Sequence, residues 1–312
     1  MAEPMKVAYV FPGQGSQWVG MGRDLYHNFD SAKAVFEQAD QALGFPLSRL
    51  CFDGPEDELR RTINAQPAIV AVSFACLEAS RSVNAGLPPA SFVAGHSLGE
   101  YTALAASGVL DFATTVYLAR ERGRLMHEAG QIVPGGMAAI IGLDEPLLAE
   151  VCEQAGTRIA NINCPGQIVI SGAEDNLTQA MDLVKARGAY RAIPLQVSGA
   201  FHTSLMQPAV DGMAEIIATL SFGEPTVPIV GNTTAQPLTT AESIKQELLS
   251  QLCNCVQWQR SVEYMVNDGV STFIELGPGK VLAGLIKRID RNVEIVNIGD
   301  ADAVMTVVQK VA

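Results

Sequence analysis

The chain has 312 residues, of which 48% are hydrophobic and 17% charged, and its net charge is −12. This composition is typical of a folded protein with one large domain or two moderate ones, and it excludes a disordered chain. The negative net charge argues against a general nucleic-acid binder and against binding to an anionic membrane surface. An acidic partner would need a local basic patch.

The cysteines and the first residues of the chain indicate the cellular compartment of the protein. The six cysteines are scattered and form no Cys-x-x-Cys pair, so we expect reduced thiols and no metal site. No apolar run reaches the roughly 18 residues that a bilayer span needs. Residues 1–6 lead into a strand-like run without the apolar segment of a signal peptide. We therefore expect a cytoplasmic protein that contacts no membrane.

The first part of the chain predicts a strand, a glycine-rich loop and several helices. The strand is predicted at 6–11, and the loop at 12–17 has the sequence Pro-Gly-Gln-Gly-Ser-Gln. The loop lacks the third glycine of a dinucleotide-binding fingerprint and the Gly-Lys-Ser/Thr of a phosphate-binding loop. Helices are predicted at 31–43 and 67–84. Asp111 is a candidate N-cap for a further helix that runs to about residue 128.

The most informative motif is Gly-His-Ser-Leu-Gly at residues 95–99. It follows a short apolar run at 91–94 and precedes a helix-forming run at 100–106. A strand, a sharp turn with serine at its apex and a helix together make a nucleophile elbow. The helix N-terminus beside such a serine offers free N–H groups to a developing oxyanion. Ser97 is therefore the candidate nucleophile.

Between residues 134 and 195 the pattern predicts strand, helix, strand, strand, helix, strand. This order over roughly 60 residues is the ferredoxin-like signature. We interpret residues 131–198 as a small ferredoxin-like subdomain, inserted into a large α/β catalytic subdomain made of residues 1–130 and 199–312. After the insert, helices predicted at 204–220, 241–252, 261–268 and 280–289 alternate with strands at 227–230, 272–276 and 293–298. This alternation predicts a parallel sheet in the large subdomain.

A serine nucleophile needs a base, and the chain has only four histidines. His96 adjoins Ser97 on the elbow, where neighbouring side chains diverge, so it is a better pocket wall than base. His202 lies on a loop that follows the insert, a usual place for a catalytic base, although a structural role is the alternative. No Asp or Glu between Ser97 and His202 lies at an obvious strand end. A Ser–His dyad, with the imidazole held by a backbone carbonyl, is therefore plausible.

Three further residues are candidates for binding. The backbone N–H of Leu98 follows from elbow geometry as one oxyanion donor, and the backbone of Gln14 could supply the second, unless its loop is a plain turn. Arg122 belongs to the run Arg-Glu-Arg-Gly-Arg at 120–124, which by itself looks like a solvated helix face. If Arg122 were buried, its planar fork could bind a carboxylate with two hydrogen bonds.

Five linked motifs resemble the malonyl-CoA:acyl carrier protein transacylases of fatty-acid synthesis, over about residues 6–289. They are Phe-Pro-Gly-Gln-Gly-Ser-Gln at 11–17, Gly-His-Ser-Leu-Gly-Glu-Tyr at 95–101, Gly-Ala-Phe-His at 199–202, Val-Gln-Trp at 256–258 and Glu-Leu-Gly-Pro-Gly at 275–279. The resemblance implies a hydrolase-like α/β core with an inserted ferredoxin-like subdomain. One departure is Cys255, where many relatives have proline.

The resemblance implies a ping-pong reaction in which malonyl moves from coenzyme A to serine and then to the phosphopantetheine thiol of acyl carrier protein. The implied roles are Ser97 as nucleophile, His202 as base, Gln14 and Leu98 as oxyanion hole, Arg122 as carboxylate ligand, Phe201 as part of a malonyl-selective pattern and the Gln257 carbonyl as the group that orients His202. No cofactor is expected, because coenzyme A is part of the substrate. We expect a monomer.

Two other hypotheses stay open at this point. An ordinary serine esterase or thioesterase is supported equally well by the elbow alone, and a scaffold without activity is opposed by the retained serine, histidine and arginine. A discrete acyltransferase that serves a polyketide synthase is an alternative within the same family. For the carrier protein, the sequence offers two basic clusters, Lys185, Arg187 and Arg191, and Lys287 with Arg288.

Overall fold

The computed structural model describes residues 6–83 and 87–311, in which ten strands form two β-sheets surrounded by helices. The strands are β1 (Lys6–Phe11), β2 (Phe92–Gly95), β3 (Gly135–Ile141), β4 (Arg158–Cys164), β5 (Gln167–Ala173), β6 (Arg191–Pro194), β7 (Ile229–Val230), β8 (Pro237–Leu238), β9 (Val270–Leu276) and β10 (Glu294–Ile298).

Helices connect these strands, and they cover the predicted helical segments. They are α1 (Arg23–Asn28), α2 (Asp30–Leu43), α3 (Leu47–Asp53), α4 (Glu56–Arg60), α5 (Thr62–Ser82), α6 (Gly99–Ala106), α7 (Phe112–Ile132), α8 (Glu145–Ala155), α9 (Glu174–Ala186), α10 (Gln207–Thr219), α11 (Ala241–Cys253), α12 (Trp258–Asn267), α13 (Val281–Ile289) and α14 (Ala301–Val311). A 3₁₀ turn at Ser204–Met206 precedes α10.

The larger sheet has six strands in the order β10-β9-β1-β2-β7-β8. Neighbouring strands are parallel except β8, which pairs antiparallel with β7. All of β2 and all but the first residue of β1 are buried, because helices cover both faces of a parallel sheet. The predicted α/β class with a parallel sheet is confirmed. The carboxyl ends of β1 and β2 meet at one edge, where the glycine-rich loop and Ser97 follow.

The smaller sheet has four antiparallel strands in the order β4-β5-β3-β6. Together with α8 and α9 they follow the predicted strand–helix–strand–strand–helix–strand order between residues 135 and 194. Side chains alternate along β3: Ala138 and Ile140 pack with the two helices, whereas Met137 and Ala139 join the main hydrophobic core. The small sheet therefore packs against the rest of the protein through one of its faces.

Helix α5 is largely buried and packs against α2 and α7. Within residues 6–83 and 87–311 it is the one helix long and apolar enough to cross a membrane, with a mean hydropathy of 1.2 over 18 residues. However, 83% of that 18-residue segment is buried inside the protein, as in the core helix of a globular domain. The sequence predicted this helix at 67–84; it begins earlier, at Thr62, with Pro67 inside it, and Asn84 lies outside the described residues.

Several other segments differ from the prediction. The short helices α1, α3 and α4 were missed, because five to seven residues give too little periodicity to detect. Helix α14 and the two-residue strand β8 were not predicted either. The helix predicted at 204–220 is divided into a 3₁₀ turn and α10. By contrast, Asp111 caps α7 as predicted, since its side chain accepts a hydrogen bond from the Thr114 N–H at 2.8 Å.

Candidate active site

Ser97 lies at the apex of the turn between β2 and α6, with a φ of 51°. A non-glycine residue in this left-handed region is strained, and such strain is typical of a nucleophile elbow. The flanking glycines are required by close packing. A Cβ on Gly95 would lie 1.9 Å from the carbonyl carbon of Gly99, and one on Gly99 would lie 2.0 Å from the carbonyl oxygen of Phe11. The elbow predicted from residues 95–99 is therefore present.

His202 forms a dyad with Ser97. Its Nε2 lies 2.9 Å from Ser97 Oγ, and its Nδ1 donates a hydrogen bond to the backbone carbonyl of Gln251 at 2.7 Å. Because the carbonyl can only accept, the proton resides on Nδ1 and Nε2 is free to accept the Ser97 proton. Burial, together with the nearby Arg122 charge, lowers the pKa of His202 to about 3. The imidazole is therefore neutral at pH 7, as a general base must be.

The prediction that the Gln257 carbonyl orients His202 is wrong, because Gln251 fills that role. Gln251 lies in the last turn of α11, where backbone carbonyls have no partner within the helix. Gln257 precedes α12, and its carbonyl accepts the Ser261 N–H at 2.9 Å. The Gln257 carbonyl is thus committed to the start of a helix, whereas the Gln251 carbonyl at the end of one is available.

Arg122 is buried, with 1% of its surface exposed, so the solvated-face interpretation of this helix is wrong for this residue. Its Nη2 donates to Ser97 Oγ at 3.0 Å and to Gln251 Oε1 at 2.7 Å, while Nη1 donates to Gln66 Oε1 at 2.9 Å. The guanidinium also lies over the Tyr101 ring, 5.2 Å from its centroid. A fixed positive charge therefore contacts the nucleophile itself.

Burial of Arg122 follows from how α7 packs on α5. A Cβ on Gly123 would lie 2.7 Å from the carbonyl oxygen of Thr62, so glycine permits the close approach of the two helices. Arg124 points to the outer face, where it pairs with Glu121 and Glu128. Burial lowers the pKa of Arg122, but an arginine begins from so high a value that the side chain stays charged at neutral pH.

Two backbone donors are available for an oxyanion. Leu98 is the N-cap of α6, and Gln14 follows β1 in the glycine-rich loop. Neither backbone N–H has an acceptor within the part of the chain that the structure describes. The side chain of Gln14 is held by Thr62, whose Oγ1 accepts from Nε2 at 3.1 Å. This arrangement fits an oxyanion hole because both donors are unused and follow neighbouring parallel strands.

Ser97 and His202 open into a cavity of about 240 Å³ between the two sheets. Residues from the loops and helices around the six-stranded sheet form one wall: 13–16, His96, Ser97, Arg122, Met126, Phe201, His202, Val281, Leu282 and Leu285. The facing wall is formed by Met137, Asn161, Asn163, Gln167, Val169, Leu195 and Val197. A larger concavity of about 780 Å³ lies among α8, β4 and β5, but neither dyad residue lines it. We assign the chemistry to the smaller cavity because it holds the dyad.

The remaining predicted residues lie where the sequence placed them. His96 is part of the wall, with Nε2 2.8 Å from Asn163 Oδ1, and it does not contact the Ser97 hydroxyl. Phe201 is a buried apolar part of the same wall. Gln66 and Gln251, which hold Arg122, were not predicted from the sequence. Their signal was a polar residue within the buried face of a helix, which needs a partner inside the protein.

Comparisons with known proteins identify the family of this chain. The family model described as an acyl transferase domain matches residues 8–306. The malonyl CoA-acyl carrier protein transacylase of Bacillus subtilis is 43% identical over 309 residues, which cover 97% of this chain and 96% of that protein. The protein of the same name from Escherichia coli K12 is 46% identical over 286 residues, which cover 90% of this chain and 92% of that one.

Solved structures are similarly close. The acyl-carrier-protein S-malonyltransferase of Bartonella henselae superimposes with a TM-score of 0.94 at 40% identity, over 98% of this chain and 99% of that one. A malonyl-transacylase in complex with a type II PKS acyl-carrier protein gives a TM-score of 0.93 at 40% identity, again over 98% and 99%. The family resemblance and the hydrolase-like α/β fold that it implied are confirmed. The chain belongs to the acyl transferase family, and it is an acyltransferase.

Proposed function

We propose that this enzyme transfers the malonyl group from malonyl-CoA to the phosphopantetheine thiol of acyl carrier protein through a malonyl-Ser97 intermediate. The observation that carries the proposal is the buried guanidinium of Arg122, whose Nη2 lies 3.0 Å from the nucleophile Ser97 Oγ. A cation at that position favours an acyl group that carries a free, negatively charged carboxylate. The names of the relatives above support the same substrate and acceptor.

In the first half-reaction, Ser97 Oγ attacks the thioester carbonyl while His202 Nε2 takes the hydroxyl proton. The N–H groups of Leu98 and Gln14 stabilise the negative charge that develops on the carbonyl oxygen. When the tetrahedral intermediate collapses, the carbon–sulfur bond breaks and His202 returns the proton to the departing coenzyme A sulfur. The Gln251 carbonyl stabilises the imidazolium that forms in between, because it accepts the Nδ1 hydrogen bond.

In the second half-reaction, the carrier thiol replaces coenzyme A in the cavity. His202 takes the thiol proton, the thiolate attacks the malonyl-serine ester, and collapse returns the proton to Ser97 Oγ. A cavity of about 240 Å³ between two walls fits one narrow arm at a time, which suits a ping-pong order. Protein groups fill every role in these steps, so the proposal requires no cofactor.

An ordinary esterase is a weaker candidate. An esterase has no use for a buried cation in contact with its serine. Burying a charge without an anionic partner costs on the order of several kcal/mol of stability. A polyketide carrier is a second candidate acceptor, favoured by the solved relative in complex with a type II PKS carrier. The cytoplasmic location and the monomeric state stay predictions.

Mass spectrometry tests the proposal. After incubation with malonyl-CoA, the peptide that contains Ser97 should gain the mass of one malonyl group, and a carrier protein bearing phosphopantetheine should then remove it. Ser97→Ala is the matched control and should acquire no malonyl. Hydrolysis of malonyl-CoA faster than transfer to the carrier thiol would instead support an esterase, and malonyl transfer by Ser97→Ala at the wild-type rate would refute the assignment.

A further inference from the structure

Glu100 is a buried carboxylate in the first turn of α6, three residues after the nucleophile, and the reaction steps above do not use it. Three donors converge on it. Its Oε1 accepts from the backbone N–H of Asn232 at 2.9 Å and from Asn232 Nδ2 at 3.0 Å. Its Oε2 accepts from Gln251 Nε2 at 2.6 Å. Glu100 therefore joins the only two side-chain amides that contact the backbone of Ser97 within the described residues.

Those two amides hold the nucleophile from both sides. Asn232 Oδ1 accepts the Ser97 backbone N–H at 2.7 Å, and Gln251 Nε2 donates to the Ser97 carbonyl at 2.9 Å. Asn232 Nδ2 also donates to the Gly95 carbonyl at 2.7 Å. Peptide N–H groups only donate and carbonyl groups only accept, so the orientation of each amide is fixed by the main chain.

Because the amides are fixed, both oxygens of residue 100 must accept hydrogen bonds. A carboxylate does so, whereas a glutamine of the same shape presents one oxygen and one NH₂. Burial and the neighbouring Glu247 raise the pKa of Glu100 well above its usual range, and the donors of Asn232 and Gln251 oppose that rise. The carboxylate form is the one that all three contacts require.

Gln251 extends this constraint to the rest of the site. Gln251 Nε2 is directed to Glu100 and Ser97, so Gln251 Oε1 faces Arg122. This oxygen accepts a hydrogen bond from Arg122 Nη2 at 2.7 Å. A flipped Gln251 amide would instead present its NH₂ to the guanidinium and its oxygen to the Ser97 carbonyl, which are two repulsive contacts. The position of Arg122 thus depends on a residue that it does not directly bond.

We propose that Glu100 is a positioning residue: its carboxylate accepts the donors that the main chain directs towards it, and it thereby holds Gln251 where Arg122 is aligned for the free carboxylate of the substrate. The proposal rests on the proposed malonyl transfer and adds a residue to its selectivity. In Glu100→Gln the amide oxygen is favoured on the side of the two Asn232 donors, so the new NH₂ faces the single donor of Gln251, which then moves. Arg122 then loses an acceptor. Acylation by malonyl-CoA should slow more than acylation by acetyl-CoA, because the acetyl group has no carboxylate for Arg122 to bind.

The test compares rates of Ser97 acylation by malonyl-CoA and acetyl-CoA. In Glu100→Gln we expect the malonyl-to-acetyl rate ratio to fall by about tenfold or more, the size of losing one hydrogen bond to a charged group. In an Arg122→Ala background the same substitution should leave the ratio unchanged. A folded Glu100→Gln protein with the wild-type ratio would overturn the proposal, and so would a fall of equal size without Arg122.

Glu275→Gln is the matched control. Glu275 is also buried, and it accepts from the N–H groups of Leu282 and Ala283 and from Asn297 Nδ2, at 3.1, 2.8 and 2.9 Å. Its loss should reduce stability in a similar way, as measured by thermal unfolding. It bonds neither Ser97, Gln251 nor Arg122, so the acylation ratio should stay at the wild-type value. An equal fall of the ratio in Glu275→Gln would show a general effect of stability and would overturn the proposal.

Gln251→Leu covers the case in which Glu100→Gln does not fold. It removes the amide between Glu100 and Arg122 but keeps the backbone carbonyl that binds His202. The malonyl-to-acetyl ratio should again fall about tenfold; an unchanged ratio would refute the route through Gln251.

A substrate-independent measurement separates this proposal from the proposed function. An uncharged fluorophosphonate should label Ser97 without requiring Arg122. If the wild-type serine is labelled but neither acyl-CoA acylates it, the proposed function has failed. Glu100→Gln and Glu275→Gln should be labelled at similar rates, because the probe does not require Arg122. Much slower labelling of Glu100→Gln would show a defect at Ser97 itself and would overturn the route through Arg122.

Discussion

The two walls of the catalytic cavity are built in different ways. On the wall that contains the dyad, buried parallel strands and helix ends hold Ser97, His202 and Arg122 in a continuous hydrogen-bond network. The facing wall consists of side chains from the antiparallel sheet and from the loop after its last strand, β6, which is itself mostly exposed. The difference indicates that one wall fixes the reacting groups, whereas the other shapes the space in which the acyl arm lies. Substitutions should therefore have larger effects on the first wall.

The largest effects should follow loss of the dyad. Ser97→Ala should abolish formation of the acyl-enzyme. His202→Ala should slow acylation by roughly 10²–10⁴-fold, the usual contribution of a general base. It should also reduce stability by about 1–3 kcal/mol, because the buried Gln251 carbonyl loses its donor. Single-turnover acylation and urea unfolding measure the two effects.

His96→Ala is the control for that experiment, because His96 belongs to the cavity wall and does not bond Ser97. A greater loss of acylation in His96→Ala than in His202→Ala would contradict the assignment of the base.

Arg122→Ala should change selectivity more than chemistry. Removing the guanidinium deprives malonyl of its charged partner and relieves acetyl of facing an unpaired buried charge. We expect the malonyl-to-acetyl ratio to fall by at least tenfold, the order expected for a charge-assisted hydrogen bond. Competition between the two acyl-CoA substrates measures it. An unchanged ratio would mean that this wall does not select the acyl group.

The pH dependence of stability should report the burial of His202. Its pKa is about 3 in the folded protein and near 6.5 when unfolded, so below pH 6.5 the unfolded chain binds a proton that the folded chain does not. Its contribution to stability therefore falls as the pH drops from 6.5 towards 3. Between pH 7 and 5 the loss should be about 2 kcal/mol, from 1.36 kcal/mol per pH unit.

Other buried groups change the pH dependence of stability in the opposite direction, so the effect of His202 has to be measured as a difference between two proteins. Burial raises the pKa values of Glu100, Glu247 and Glu275, and these groups lower stability as the pH rises above their unfolded values. Subtracting the unfolding curves of His202→Ala from those of the wild type isolates the histidine. A difference that is constant between pH 7 and 5 would contradict the lowered pKa.

The sequence predicted the reacting groups better than the groups that hold them. Ser97 was found because the elbow is local: strand, glycines, serine and helix occupy adjacent positions. The partner of His202 was assigned six residues away from the true one, Gln251, because a free carbonyl depends on where α11 ends and α12 begins. Arg122 looked exposed because its neighbours in the chain are charged, and only the packing of α7 on α5 shows that it is buried.

The smallest effect should come from the surface outside the two walls, where an acidic carrier protein would dock. Of the two basic clusters, the structure favours Lys287 and Arg288. They lie in the last turn of α13, whose residues Val281, Leu282 and Leu285 line the cavity. Arg288 also donates to Gln167 Oε1 at 2.7 Å, and Gln167 lines the facing wall. In contrast, Lys185 and Arg187 already pair with Asp182 and Glu150, and neither lines the cavity.

Reversing both charges, in Lys287→Glu with Arg288→Glu, should raise the KM for the carrier protein several-fold, on the scale of a few exposed charge pairs. Acylation by malonyl-CoA should stay near the wild-type rate, because the dyad and Arg122 are untouched. The difference in KM should shrink as salt is added, since exposed charges are screened over about 8 Å at physiological ionic strength.

Arg288→Gln retains a donor for Gln167 and so separates loss of charge from loss of that contact. Lys185→Glu with Arg187→Glu is the matched reversal and should leave the KM unchanged. If instead neither pair altered the KM or its salt dependence, docking would have to depend on uncharged groups around the mouth, such as the exposed Val281 and Leu195 side chains.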